Sequence, residues 1–221
     1  MGLNFDSAPA RRLPVYLLLD VSGSMAGEPI SAVHEGVNIL YNELMENPYA
    51  IETVWLSVIT FAYDAQRTPL TEITEFKPPE LIAKGPTALG AALRELGRAL
   101  DSDIIANSPE RKGDYKPLAF LLTDGAPTDE WRGAAQALKA RTKARLGKFI
   151  ALACGPQADL AVLQELADHT LVMRDLRSDM LHEYFLWVSA SVKKMSVAAP
   201  RALSDTSFND FPPPPPTIEM M

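Results

Sequence analysis

The stretch LLLDVSGSMAGEPI occupies residues 17–30. A run of apolar residues stops at Asp20, and Ser22 and Ser24 follow at alternate positions, with Gly23 between them and Gly27 after. In extended chain, residues two apart point to the same side. One carboxylate and two hydroxyls therefore converge at the end of a buried strand. Such a trio can be a nucleophile with its neighbours, a metal-binding set, or a turn with helix-capping residues.

The surrounding sequence sets the frame. Pro14–Leu19 reads as a strand apolar on both faces, as buried parallel strands are. Glu28 and Pro29 suit the first turn of a helix. Ile30, Val33, Val37, Leu40 and Leu44 then form one apolar stripe at helical spacing, ended by Asn47-Pro48-Tyr49. ETVWLSVITFAY (52–63) reads as a second strand and RTPLTEI (67–73) as a short edge strand, since Pro69 cannot donate to a ladder. Leu89, Leu93, Leu96 and Leu100 mark the next helix, and 108–116 a polar linker. PLAFLLTDG (117–125) repeats the opening pattern of apolar strand, hydroxyl, carboxylate and glycine. A basic helix over 130–146, a strand over 148–155, a helix over 160–167, a strand over 171–176 and a last helix over about 179–195 complete the series. Strands alternating with helices predict one α/β domain, a mostly parallel sheet with helices on both faces. Five consecutive prolines at 212–216 predict a flexible C-terminal tail outside any core.

Composition narrows the function. The chain has 221 residues and a net charge of −7. An acidic surface does not bind nucleic acid non-specifically; it suits a cation or a basic partner. A single cysteine, Cys154, excludes an internal disulfide and fits a reducing cytoplasm. The apolar runs are too short to cross a membrane. The opening residues lack a signal-peptide core, and Asp6 stands where a myristoylation motif needs Ser or Thr.

In an open α/β sheet, ligands bind outside the carboxyl ends of the strands, where strand order reverses. Asp20 and Asp124 each follow such a strand, and Thr87 lies in a loop just before a helix. Asp20, Ser22, Ser24, Thr87 and Asp124 make an all-oxygen set of two carboxylates and three hydroxyls. Hard oxygens suit Mg²⁺ or Mn²⁺ and not zinc, for which no Cys/His cluster exists. The competing enzyme is a haloacid-dehalogenase-like phosphatase, which needs a second Asp two residues after the first as acid/base; Ser22 stands there. No P-loop motif is present. His34, His169 and His182 are far apart in sequence, so no base is assigned to either serine. Arg132, Lys139, Arg141, Lys143, Arg145 and Lys148 form a basic stripe that reads first as a solvated helix face.

DVSGSM (20–25), GPTALG (85–90) and LLTDGAPT (121–128) together closely resemble the metal-ion-dependent adhesion site of von Willebrand factor type A domains. Within that superfamily, RRLPVYLLLDVSGSMAGEPI, ERKGDYKPLAFLLTDGAPTDEW and FIALACGPQADLAVLQELAD look like the bacterial TerY-like proteins of tellurium-resistance and stress operons. The resemblance implies a Rossmann-like sheet of order 3-2-1-4-5-6 with strand 3 antiparallel at the edge. It also implies metal ligation by Asp20, Ser22, Ser24, Thr87 and Asp124, with Mg²⁺ or Mn²⁺ as the ion. It implies a cytoplasmic binding protein, not an enzyme, whose partner presents an Asp or Glu to the metal and is an operon-encoded kinase-like protein or phosphatase. The corresponding organisation is an N-terminal arm (1–11), the domain proper (12–196) and the Pro-rich tail (197–221). Two alternatives stay open: a metal-dependent phosphohydrolase using Asp20, and a phosphorylated scaffold whose metal is purely structural.

Overall fold

The computed structural model describes residues 11–141, 146–198 and 211–221. Strand β1 (Leu13–Asp20) is buried along its whole length. Its period of two divides it between two cores. Leu13, Val15, Leu17 and Leu19 join one apolar cluster, and Tyr16 and Leu18 the other. On the first face lie α1 (Glu28–Met45) and α6 (Ser178–Ala198). On the second lie α3 (Leu89–Asp103), α4 (Arg132–Lys139) and α5 (Leu160–Leu166). The stripe expected on α1 is the buried one: Val33, Val37, Leu40 and Leu44 all enter the first core. Gly36 lets α6 come close, because a Cβ there would lie 2.0 Å from the Phe185 ring.

The remaining strands are β2 (Val54–Phe61), β3 (Ala65–Arg67), β4 (Thr71–Glu72), β5 (Leu118–Thr123), β6 (Lys148–Cys154), β7 (His169–Met173) and β8 (Glu219–Met220). Their order is β3-β2-β1-β5-β6-β7-β8, with β4 also pairing β2. β1, β2, β5, β6 and β7 run parallel, while β3 and β4 return antiparallel to β2. This is the expected mostly parallel α/β sheet, but with eight strands instead of the six expected, and with antiparallel strands at both edges. The chain leaves β1 toward β2 and later resumes on the other side at β5, so strand order reverses between β1 and β5.

Several boundaries differ from the sequence reading. The residues after Asn47 start a second helix, α2 (Pro48–Thr53), instead of a plain stop. Asn47 caps it, accepting from Ala50 N at 3.0 Å, so the next strand begins at Val54. The edge strand over 67–73 is split into β3 and β4 around Pro69, which has no N–H to give. The basic helix is shorter than predicted, with α4 ending at Lys139 and 142–145 outside the described residues. The polar linker is anchored through Asp114, which pairs with Arg12 at 2.6 Å and accepts from Ile105 N at 2.8 Å. Arg11, the last residue of the supposed arm, donates to Gly113 O at 2.7 Å; residues 1–10 lie outside the described residues.

The largest correction concerns the tail. Val197 and Ala198 belong to α6, 199–210 lie outside the described residues, and 211–221 is docked on the domain. Phe211 and Ile218 are both buried in the first core. Phe211 stacks on Trp187, whose indole N–H donates to Pro212 O at 2.9 Å. β8 pairs antiparallel with β7, and Arg174 forks onto Glu219. Polyproline leaves its carbonyls unpaired, so an indole donor and flanking apolar anchors hold it without any helix or long ladder. Ile218→Asp places a charge in that apolar seat. The expected outcome is release of 211–221 with the sheet intact: faster amide exchange at Val172 and red-shifted tryptophan emission. Unchanged exchange would show that Ile218 does not anchor the segment.

Candidate functional site

Asp20 is the last residue of β1, and Asp124 immediately follows β5. Because those strands are neighbours, paired through Leu19 and Leu122, their carboxylates come to one crevice at the carboxyl end of the sheet. Asp20 is fully buried and Asp124 nearly so. The Asp20 carboxylate is fixed from two sides. Ser22 N donates to Oδ1 at 2.8 Å, and Thr123 Oγ1 donates to Oδ2 at 2.5 Å. Burial raises its proton affinity above the ordinary carboxylate range, the hydrogen bonds from Thr123 and Ser22 oppose this, and the charge of Asp124 reinforces it. Burial raises the Asp124 carboxyl in the same way, against the hydrogen bond from Ser24.

A single 3-10 turn, Gly23–Met25, follows Asp20. Ser22 stands at its N-cap position with extended backbone, yet its side chain makes no capping bond, and α1 begins after Gly27 with no side-chain cap either. Asp20 does make the turn bond to Ser22 N, but capping does not account for the serines. Their hydroxyls lie 3.0 Å apart, and Ser24 Oγ donates to Asp124 Oδ1 at 2.7 Å. A row of oxygens thus runs from one strand end to the other.

Thr87 arrives on the loop before α3. That loop is tied to the Asp20 turn by Gly23 N→Gly85 O and Lys84 N→Val21 O, both 2.8 Å, and to the Asp124 loop by Thr128 N→Thr87 O at 2.9 Å. The Thr87 side chain faces Gly125, where a Cβ would sit 3.1 Å from its Oγ1. Among the described residues the Thr87 hydroxyl has no hydrogen-bond partner, although the residue is buried. The structure therefore gathers all five sequence-predicted residues around one crevice.

Two residues that sequence reasoning missed hold the crevice together. Thr123 orients Asp20; its signal was the hydroxyl beside Asp124 in LLTDG. Asp129 accepts from Gly90 N at 2.7 Å and Ala91 N at 2.9 Å, and meets Arg94 at 3.1 Å. It caps α3 from another loop, a cross-chain contact that local capping patterns do not reveal. Gly90 is needed for this approach, since a Cβ there would lie 2.0 Å from Glu130 O.

The donor chemistry fits a hard divalent cation. No Lys, Arg or His among the described residues pairs with Asp20 or Asp124, and no three His, Cys, Asp or Glu side chains converge anywhere among them. Two buried like charges in contact with hydroxyl oxygens call for a counter-charge, and two carboxylates offset one divalent ion. Among the described residues, no histidine or lysine hydrogen-bonds Ser22 or Ser24; Ser22 lies against Ser24, and Ser24 donates to Asp124. Cys154 is fully buried, and burial pushes its thiol well above its ordinary range; it is a packing residue. In the basic stripe, Arg132 pairs with Glu165 and Arg141 with Asp101, while Lys139 donates to Glu165 O. Lys143 and Arg145 lie outside the described residues.

An α/β sheet with this oxygen-lined crevice at its reversal point has a family to match. The chain belongs to the von Willebrand factor type A domain family, whose model matches residues 15–179. Among solved structures, it is similar to proximal thread matrix protein 1 of the mussel byssus, in a form described as having a zinc-occupied MIDAS motif (18% identity, TM-score 0.57, 81% of this chain and 48% of that one). It is similar to the ArnB paralog VWA2 of Sulfolobus acidocaldarius (16%, 0.56, 85% and 46%), and to the pilus adhesin SpaC of Lactobacillus rhamnosus GG (15%, 0.65, 84% and 31%). The chain spans at most about half the length of these proteins. At such identities the likeness establishes the fold. No curated protein sequence matches the chain significantly. Among the described residues, no helix is long and apolar enough to cross a membrane.

The clamp between loops is directly testable. Asp129→Ala removes the acceptor of two helix-terminal amides and is expected to lower unfolding free energy by about 1–2 kcal/mol, measured by urea titration in EDTA. Gly90→Ala, which collides with backbone, should cost more than Asp129→Ala.

Proposed function

We propose that this chain is a metal-dependent protein-interaction module. Asp20, Ser22, Ser24, Thr87 and Asp124 would hold one divalent cation, whose role is to accept a carboxylate oxygen from a partner protein. The observation that carries the reading is the convergence of these five oxygen side chains in a crevice where, among the described residues, no cationic side chain pairs with the two buried carboxylates. The residues divide the work. Thr123 and the Ser22 amide keep the Asp20 carboxylate aimed. Ser24 spaces Asp124 from Ser22. Asp129 holds the Thr87 loop against the Asp124 loop, so the set is preorganised before any partner arrives.

Hard oxygen donors favour Mg²⁺ or Mn²⁺ over zinc. The mussel protein described with zinc at its motif makes zinc a necessary arm of the test. The reading is non-enzymatic. Ser22 occupies the position at which a phosphohydrolase of the aspartate type needs its acid/base, and its hydroxyl, set 3.0 Å from that of Ser24, has no carboxyl proton to give. The finer assignment is a cytoplasmic, bacterial TerY-like protein that works with a kinase-like protein and a phosphatase in a tellurite-resistance or stress system. Its support is the resemblance of the three stretches around Asp20, Asp124 and Cys154.

The test is a thermal melt of wild type and Asp124→Ala, in EDTA and in millimolar Mg²⁺, Mn²⁺ or Zn²⁺. At a concentration 100 times Kd, the bound ion adds about 2.7 kcal/mol to wild type. Asp124→Ala should show no ion-dependent rise. An equal rise in both proteins would place the ion elsewhere and overturn the reading.

A further inference from the structure

Tyr63 lies just beyond β2 and is 71% exposed, more than any other large hydrophobic side chain among the described residues. Its ring is nonetheless held in place. It lies against Gly85, where a Cβ would sit 2.3 Å from the ring and where φ is +75°. Gly85 O in turn accepts from Gly23 N at 2.8 Å, and Gly23 is the residue between Ser22 and Ser24. The residue before Tyr63 is tied to the Thr87 loop as well, through Ala88 N→Ala62 O at 2.9 Å. One ring face is packed on the wall of the crevice, and the rest of the side chain is offered to solvent. Tyr supplies large contact area with few torsions to freeze, and here the ring is positioned before any contact is made.

The charges around the ring limit what it can meet. Lys84 and Asp64 are both exposed on this rim, and neither is ion-paired among the described residues, so their charges offset each other. With a divalent ion offset by Asp20 and Asp124, the crevice attracts one carboxylate through coordination. With Lys84 and Asp64 offsetting each other, the rim adds no net attraction for a second acid. An apolar platform next to a single-acid site therefore fits a partner segment with one acid and an apolar residue close by. Extended chain advances about 3.3 Å per residue, so a residue one or two positions from the acid reaches across the Gly85 wall.

We infer that Tyr63 is the second contact of the partner site. The ligand it selects is a protein segment with a single Asp or Glu and an aromatic or aliphatic residue one or two positions away, not an acidic run. This rests on the metal-dependent reading above.

The experiment pans a random linear peptide library, displayed on phage, against the full chain in Mn²⁺ and elutes with EDTA. Synthetic consensus peptides are then titrated against wild type, Tyr63→Ser and Tyr63→Phe, with Mn²⁺ affinity measured for each protein. The expected consensus has one acid and a neighbouring apolar residue. Tyr63→Ser should weaken that peptide about tenfold or more, as loss of an interface tyrosine does. Tyr63→Phe should retain affinity, and all three proteins should bind Mn²⁺ equally. Enrichment of acids alone or of acidic runs, an unaffected Tyr63→Ser, or a loss of Mn²⁺ affinity in Tyr63→Ser would overturn the inference and leave the metal site standing. Absence of any EDTA-sensitive enrichment would overturn the metal-dependent reading itself, and this inference with it.

Discussion

The pairing of β1 with β5 is the constraint from which the site follows. Strands that are distant in sequence, joined by α1, β2 and α3, are locked side by side along Val15–Leu19 and Leu118–Leu122. Each is buried on both faces, so neither can slip without driving its apolar residues out of both cores. Two carboxylates are thereby forced to one place although burial and their mutual repulsion both oppose it. Everything local to the crevice answers that conflict. The Ser22 amide and Thr123 hydroxyl donate to Asp20, Ser24 donates to Asp124, and the Thr87 hydroxyl, without a hydrogen-bond partner among the described residues, lies alongside.

Rigidity around the crevice comes from backbone, not from the five side chains. The loops before α3 and after β5 are laced to each other and to the Asp20 turn by main-chain hydrogen bonds. Asp129 closes the arrangement by capping the first turn of α3 through Gly90, 39 residues earlier in the chain. Glycines stand where loops must touch. Gly90 meets a carbonyl, and Gly85 meets an aromatic ring and takes a left-handed backbone.

What was legible in the sequence was what depends on period and on strand ends. Doubly buried strands announce themselves as continuous apolar runs, and Asp20, Ser22 and Ser24 as an alternation that continues past one of them. The helical stripe of α1 was readable for the same reason. The cross-chain parts were not. Asp129 looks like any acid near a helix, and only the fold shows that the helix it caps is α3. The proline run was misread because composition describes what a segment can do alone. Here Phe211 and Ile218, one on each side of the prolines, anchor it, and Trp187 supplies the donor that five imino residues cannot. Pro69 was read correctly as an edge signal, but it divides the edge into two short pieces instead of sitting within one.

The docking of 211–221 also changes how the sheet ends. An open parallel sheet leaves a row of unpaired amides and carbonyls along each outer strand, a template for pairing with another chain. On one side of this sheet the closing pieces are β3 and β4, of three and two residues, and on the other side β8, of two. The two pieces on the first side are separated by a proline, and β8 follows a proline run. Neither edge is long or flat enough to propagate. Among the described residues, neither outer strand therefore offers a long template for pairing with another chain, and the short closing strands blunt both sides of the sheet.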